Sequence, residues 1–120
     1  MTERDYRTTE SVLQHHLEAF ATQDMEAILV DYAPSATVVS GDRIAQGHDE
    51  IRGFFEWAFG LLPKGSSFDL DQQFIKDDIA YITWQAESPS VRAPMGSDTF
   101  IVRDGLIQTQ TVAAYMEPKA

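Results

Sequence analysis

The hydrophobic period of this chain changes once, at Pro63-Lys64-Gly65, from a helical repeat to strand-like alternation. Helices placed first, followed by strands with only short turns between them, leave no crossover helices for a parallel βαβ sheet. The class this implies is α+β, with helices packed on a mostly antiparallel sheet. In the first half, Val12, Leu13, Leu17 and Phe20 recur at helical spacing, and Thr22-Gln23-Asp24 ends that run. Asp24 reads as the N-cap of a second helix over Met25 to Tyr32, which Pro34 would stop. Ala36 to Val39 is a short β-rich run, and Gly41-Asp42-Arg43 turns it into Ile44-Ala45. A third helix follows Gly47-His48, with an apolar stripe of Ile51, Phe54, Phe55, Ala58 and Leu62.

Four strands are expected after Gly65: Ser67 to Ile75, Ile79 to Glu87, Ser97 to Arg103 and Leu106 to Met116. Asp104-Gly105 favours a two-residue hairpin turn, which makes the last two strands antiparallel neighbours. Pro89 to Gly96 reads as a longer loop. Strand parity speaks to assembly. Ala80, Ile82 and Trp84 share one face, Ile79 and Tyr81 the other, and Ile101 opposes Phe100 and Val102. Both faces are partly apolar, so a second copy is expected on the face the helices leave bare, giving a homodimer.

The 120 residues make one domain, 1–120, with 1–8 expected as a loose N-terminal extension. Hydrophobic residues make up 43%, enough for a core without staples, and cysteine is absent. Neither a disulfide framework nor a thiolate metal site is then available. Nine basic residues face nineteen acidic ones, a net charge of −10, and the basic residues are scattered. Phosphate backbones and anionic lipid are both repelled by such a chain, so no nucleic-acid or membrane partner is expected. The charged start lacks the apolar segment of a signal peptide, and a cytoplasmic location is expected.

Few side chains suit chemistry. His16 falls between Val12 and Phe20 on the apolar stripe of the first helix, whereas His15 points to the solvated side. An inward histidine serves either as an acid/base near neutral pH or as a hydrogen-bonded core residue. His48 reads as a turn residue at a helix start, and the three histidines match no metal motif. Most carboxylates belong to turns and polar faces. Asp98 shares the parity of Phe100 and Val102, so it is either a semi-buried carboxyl or a strand-end residue bonded to loop amides. No phosphate-binding glycine loop and no Gly-x-Ser-x-Gly elbow is present.

Several strings, in this order and spacing, carry a resemblance: Leu17-Glu18-Ala19-Phe20, Asp24-Met25-Glu26-Ala27-Ile28, Tyr32-Ala33-Pro34-Ser35-Ala36-Thr37-Val38, Gly47-His48-Asp49-Glu50-Ile51-Arg52-Gly53-Phe54-Phe55 and Asp98 to Ile107. From about Glu10 to Met116 the sequence resembles the nuclear transport factor 2-like superfamily, in its SnoaL-like and ketosteroid-isomerase-like branch. The resemblance implies a cone, in which three helices pack on a strongly curved sheet around an apolar pocket, and a homodimer through the outer sheet face. Ser40 stands where the isomerase has its Asp base, which argues against steroid isomerisation by the usual route. His16 matches the oxyanion-hole Tyr, Asp98 the oxyanion-hole Asp and Tyr32 a supporting Tyr, while Phe55 replaces the Tyr that would link that network.

SnoaL-like cyclases resemble this set more closely, since a cavity Asp acts there without metal or cofactor. Two functions follow. The first is cofactor-independent proton transfer beside a carbonyl of a small apolar substrate, as in an isomerase or cyclase, with Asp98 and His16 moving the proton. Tyr32 or Ser40 would orient the substrate, and Phe20, Phe55, Phe59, Trp84, Phe100 and Met116 would wall the pocket. Trp57 lies off the main stripe, at the rim or on the surface. The second is a non-catalytic ligand-binding or dimerisation domain in which Ser40, Phe55 and His16 record a lost active site.

Overall fold

The computed structural model describes residues 7–119. Helix α1, Thr9–Thr22, starts at Thr8, whose side chain accepts from the Ser11 amide while Ser11 returns the bond, and ends at Gln23 in the left-handed region (φ 54°). Helix α2, Met25–Leu29, is capped by Asp24, which accepts from the Ala27 amide at 3.1 Å. It stops before the expected Tyr32. Strand β1, Tyr32–Ser40, begins there instead, so Pro34 lies within a strand rather than ending a helix. The pairing of β1 is irregular between Tyr32 and Thr37, where a residue with no N–H removes nothing from the ladder. Strand β2, Arg43–Gln46, and helix α3, Gly47–Leu61, follow, and Ile51, Phe54 and Phe55 form the buried stripe of α3.

Strands β3 (Ser67–Lys76), β4 (Ile79–Glu87), β5 (Val91–Arg103) and β6 (Leu106–Pro118) complete a six-stranded sheet in the order β2-β1-β6-β5-β4-β3. Among the described residues, β1 and β6 are the one neighbouring pair that runs parallel. The expected loop over 89–96 is corrected: β5 is already a strand from Val91. Pro94 is accommodated where its register slips between Arg92 and Met95. At Gly96 the Trp84 ring lies where a Cβ would be, only 2.3 Å from its nearest carbon. Two residues that read as loop punctuation thus serve a bulge and a close packing contact. Further slips occur between Leu70 and Gln72, Trp84 and Ala86, and Ile101 and Val102. Such bulges bend and twist strands, which curves the open sheet around the helices.

The concave face carries Ala80, Ile82, Trp84, Phe100 and Val102, all buried against Val12, Leu13, Ile51 and Phe55 of the helices. The convex face keeps Phe74, Ile79, Met95 and Tyr115 exposed. Residues 1–6 of the expected N-terminal extension lie outside the described residues. Arg7 is bonded to Asp31, and Thr8 caps α1.

Candidate functional site

Between α1, α3 and the concave sheet lies a cavity of about 400 Å3, apolar over most of its wall. His16, Asp98, Ser40, Phe20, Phe55, Trp84 and Met116 all border it. Tyr32, Phe59 and Phe100 do not. Tyr32 and Phe100 are sealed in the core at 1% exposure, packed edge-on against the His16 ring, and Phe59 packs behind Phe20 and Phe55. Aromatic character marks these three for burial equally well as core or as lining, so pattern alone does not separate the two. Trp57 stands at the rim, 43% exposed, beneath the Arg43 guanidinium.

Asp98 is the eighth residue of the 13-residue β5, not a strand-end group, because the strand starts earlier than its sequence suggests. Its half-buried carboxylate borders the cavity. Trp84 Nε1 donates to Oδ1 and Gln110 Nε2 to Oδ2, each at 2.8 Å. Behind them the Tyr32 hydroxyl donates to Gln110 Oε1. Burial raises the Tyr32 pKa well above its usual value, so the hydroxyl stays protonated and is a donor. That donor takes the amide oxygen of Gln110 and turns its NH2 toward Asp98. Tyr32 therefore acts through Gln110. Burial raises the Asp98 pKa to about 6, against the opposing effect of the two hydrogen bonds.

His16 has the opposite character. It is buried among Tyr32, Phe55 and Phe100, and its Nδ1 has no hydrogen-bond partner among the described residues. Burial lowers its pKa to about 4, with Asp31 pulling upward and His15 downward, so the ring is neutral at neutral pH. It is not an acid/base that titrates near pH 7, because the apolar cage disfavours the imidazolium more than the nearby carboxylate favours it.

Two polar groups escaped sequence reasoning. Gln110 shares strand parity with Val112, Ala114 and Met116, and a polar residue on an apolar parity was the available signal. Asp31 is fully buried, an exception among the acids that the sequence reading did not single out. It receives Arg7 on Oδ1, approaches His15 Nδ1 at 2.6 Å through Oδ2, and accepts the Ile107 amide on its carbonyl at 2.7 Å. Hence His15, though its side chain is 46% exposed, is not simply solvated. His48 is a helix-start residue as read, its Nε2 2.9 Å from the Tyr32 carbonyl oxygen. Among the described residues no three His, Asp or Glu side chains gather as metal ligands would.

A bent, open sheet wrapped on three helices around an internal cavity is the nuclear transport factor 2-like architecture, α+β in class. Within it, the chain belongs to the SnoaL-like domain family, whose sequence pattern matches residues 13–110. No curated protein matches the sequence. Among solved structures, it is similar to a candidate polyketide cyclase from Sinorhizobium meliloti, with TM-score 0.73 and 17% identity over 84% of this chain and 92% of that one. It is also similar to a candidate ketosteroid isomerase from Kribbella flavida, with TM-score 0.76 and 14% identity over 93% and 83%. A de novo designed protein with a curved β-sheet reaches TM-score 0.76 at 11% identity over 96% and 88%. At these identities the likeness is one of fold, and function must be argued from the site.

Proposed function

We propose that the protein is a cofactor-independent isomerase or cyclase that moves a proton at a carbon next to a carbonyl, in a small apolar substrate held in the cavity. The observation that carries this reading is Asp98: a half-buried carboxyl on a mostly apolar wall, fixed by two donors and raised to about 6, whereas Asp42, the other carboxyl at the cavity, is exposed. A base of that strength is half ionised near pH 6, so it both takes and returns a proton close to neutrality. Each carboxylate oxygen has room for about two hydrogen bonds, and Trp84 and Gln110 use one on each. The remaining lone pairs are available to substrate. Neutral His16 packs beside the substrate rather than shuttling the proton, and Ser40 lies on the same cavity wall to orient a polar group.

The test is exchange of solvent deuterium into aromatic ketones and enones. General acid–base catalysis contributes roughly 10²–10⁴-fold, so Asp98→Asn should lose at least about 100-fold of the catalysed exchange. Equal exchange in both proteins would instead favour a non-catalytic binder. The apolar convex face supports a second proposal, that a second copy of the chain covers it. A cytoplasmic location, in keeping with the cysteine-free sequence, is likewise proposed.

A further inference from the structure

The register of the sheet aligns four cavity-bordering residues in one row. Asp98 faces Val112 across β5 and β6, Val112 faces Ser40 across β6 and β1, and Ser40 faces Arg43 across β1 and β2. Three inter-strand steps of ~4.8 Å separate the outer two backbones by about 14 Å, less the effect of curvature. The row continues past Asp98 to Ile82 on β4, also at the cavity, so Asp98 and Arg43 are its two charged members, set well apart along the wall. Arg43 is also singular in its bonding. Arg7, Arg52, Arg92 and Arg103 each hold a carboxylate, whereas Arg43, in a chain of net charge −10, holds none among the described residues. Its guanidinium lies 4.8 Å from the Trp57 ring centroid, a stacking that restrains the side chain at the cavity rim.

We propose that Arg43 is a specificity-determining residue that receives a carboxylate on the substrate, so the preferred ligand is a flat, apolar body of about two fused rings with a ketone at one end and a carboxylate at the other. The inference rests on the reading of Asp98 as the end that meets the ketone. A planar guanidinium pairs with a planar carboxylate through two parallel hydrogen bonds, and an arginine with no internal carboxylate has that fork free. The negative charge of the rest of the chain repels such a ligand in general. A preference for it therefore requires a local cation that outweighs the exposed Asp42 at the same rim, and Arg43 is the arginine bordering the cavity.

The experiment compares 6-acetyl-2-naphthoate with neutral 2-acetylnaphthalene by calorimetric titration of the full chain at pH 7.5 and low salt. Wild type should bind the carboxylate about three- to tenfold more tightly, the range of exposed to partly desolvated ion pairs. The preference should shrink in about 0.5 M salt, where charges more than a few Å apart are screened. Arg43→Gln should bring the two ligands to equal affinity, and Arg43→Lys should keep part of the difference. Equal affinity in wild type, or a preference that survives Arg43→Gln, overturns the role of Arg43 and leaves the Asp98 reading standing. Failure of both ligands to bind while other ketones exchange deuterium overturns the two-ring substrate alone. Failure to bind and to exchange any ketone overturns the Asp98 reading and this inference with it.

Discussion

Two ionisable groups on one cavity wall are displaced in opposite directions, and the consequence for stability is a partial cancellation. Asp98 is raised from 3.8 to about 6, so between these values the folded chain holds a proton the unfolded chain has lost. Its contribution therefore falls as pH rises through that window. His16 is lowered from 6.5 to about 4, so the unfolded chain takes a proton the folded chain refuses, and its contribution rises with pH over nearly the same window. Wild type should accordingly show a shallow stability profile between pH 4 and 6.5 from this pair, in urea titrations. Asp98→Asn should lose about 2 kcal/mol more than wild type on acidification across that range, after discounting for the solvent access of the cavity. His16→Phe should show the reverse slope. Parallel profiles for all three proteins would contradict the assigned environments. Inward placement of His16 was legible from periodicity, whereas parity gave Asp98 its face but not its place in the middle of a strand. Their titration was not legible, since it depends on Phe55 and Phe100 around the imidazole and on Trp84 and Gln110 around the carboxylate, contacts brought together only by folding.

The elements that hold Asp98 carry their own tests. Gly96 on β5 admits the Trp84 ring of β4, and a Cβ there would lie 2.3 Å from that ring. Gly96→Ala should cost about 2–4 kcal/mol in chemical denaturation through forced displacement of the indole. It should also alter tryptophan fluorescence, because the indole leaves its bond to Asp98. Asp31, in the short link between α2 and β1, joins Arg7 just before α1 and His15 in the middle of α1 to the backbone of β6. Arg7→Ala leaves a carboxylate of 0% exposure short of its main partner and should cost about 3 kcal/mol. Little change in denaturation would show the carboxylate to be solvated. The presence and order of the helices and the Asp104-Gly105 hairpin follow from local pattern, although the end of α2 does not. The strand over 91–96 did not, because Pro89, Pro94 and Gly96 carry loop chemistry in isolation and only the pairing with β4 and β6 reveals a bulged strand. Asp31 was hidden for a similar reason: its partners stand sixteen and twenty-four residues away.

At the scale of the molecule, the apolar residues divide between a core, a cavity wall and a bare convex face. Phe74, at 60% exposure, and Tyr115, at 63%, lie on that face with Ile79 and Met95. Sedimentation should give twice the mass of the chain, and Phe74→Glu with Tyr115→Glu should give single chains; a wild type that sediments as one chain would exclude the homodimer. The α+β class and the sheet's two faces were readable from period and parity, whereas the row from Asp98 to Arg43 depends on β1 entering the sheet parallel to β6, a register no local string encodes. That row places the half-buried Asp98 carboxyl on a mostly apolar cavity wall, and the rate of deuterium exchange into a bound aromatic ketone, followed against pH, tests its role most directly. Wild type should rise to half its maximal rate near pH 6, Trp84→Phe should shift that midpoint upward through loss of a donor to the carboxylate, and Asp98→Asn should abolish the catalysed rate. A rate that ignores pH across this range, or that persists in Asp98→Asn, would contradict proton transfer by Asp98.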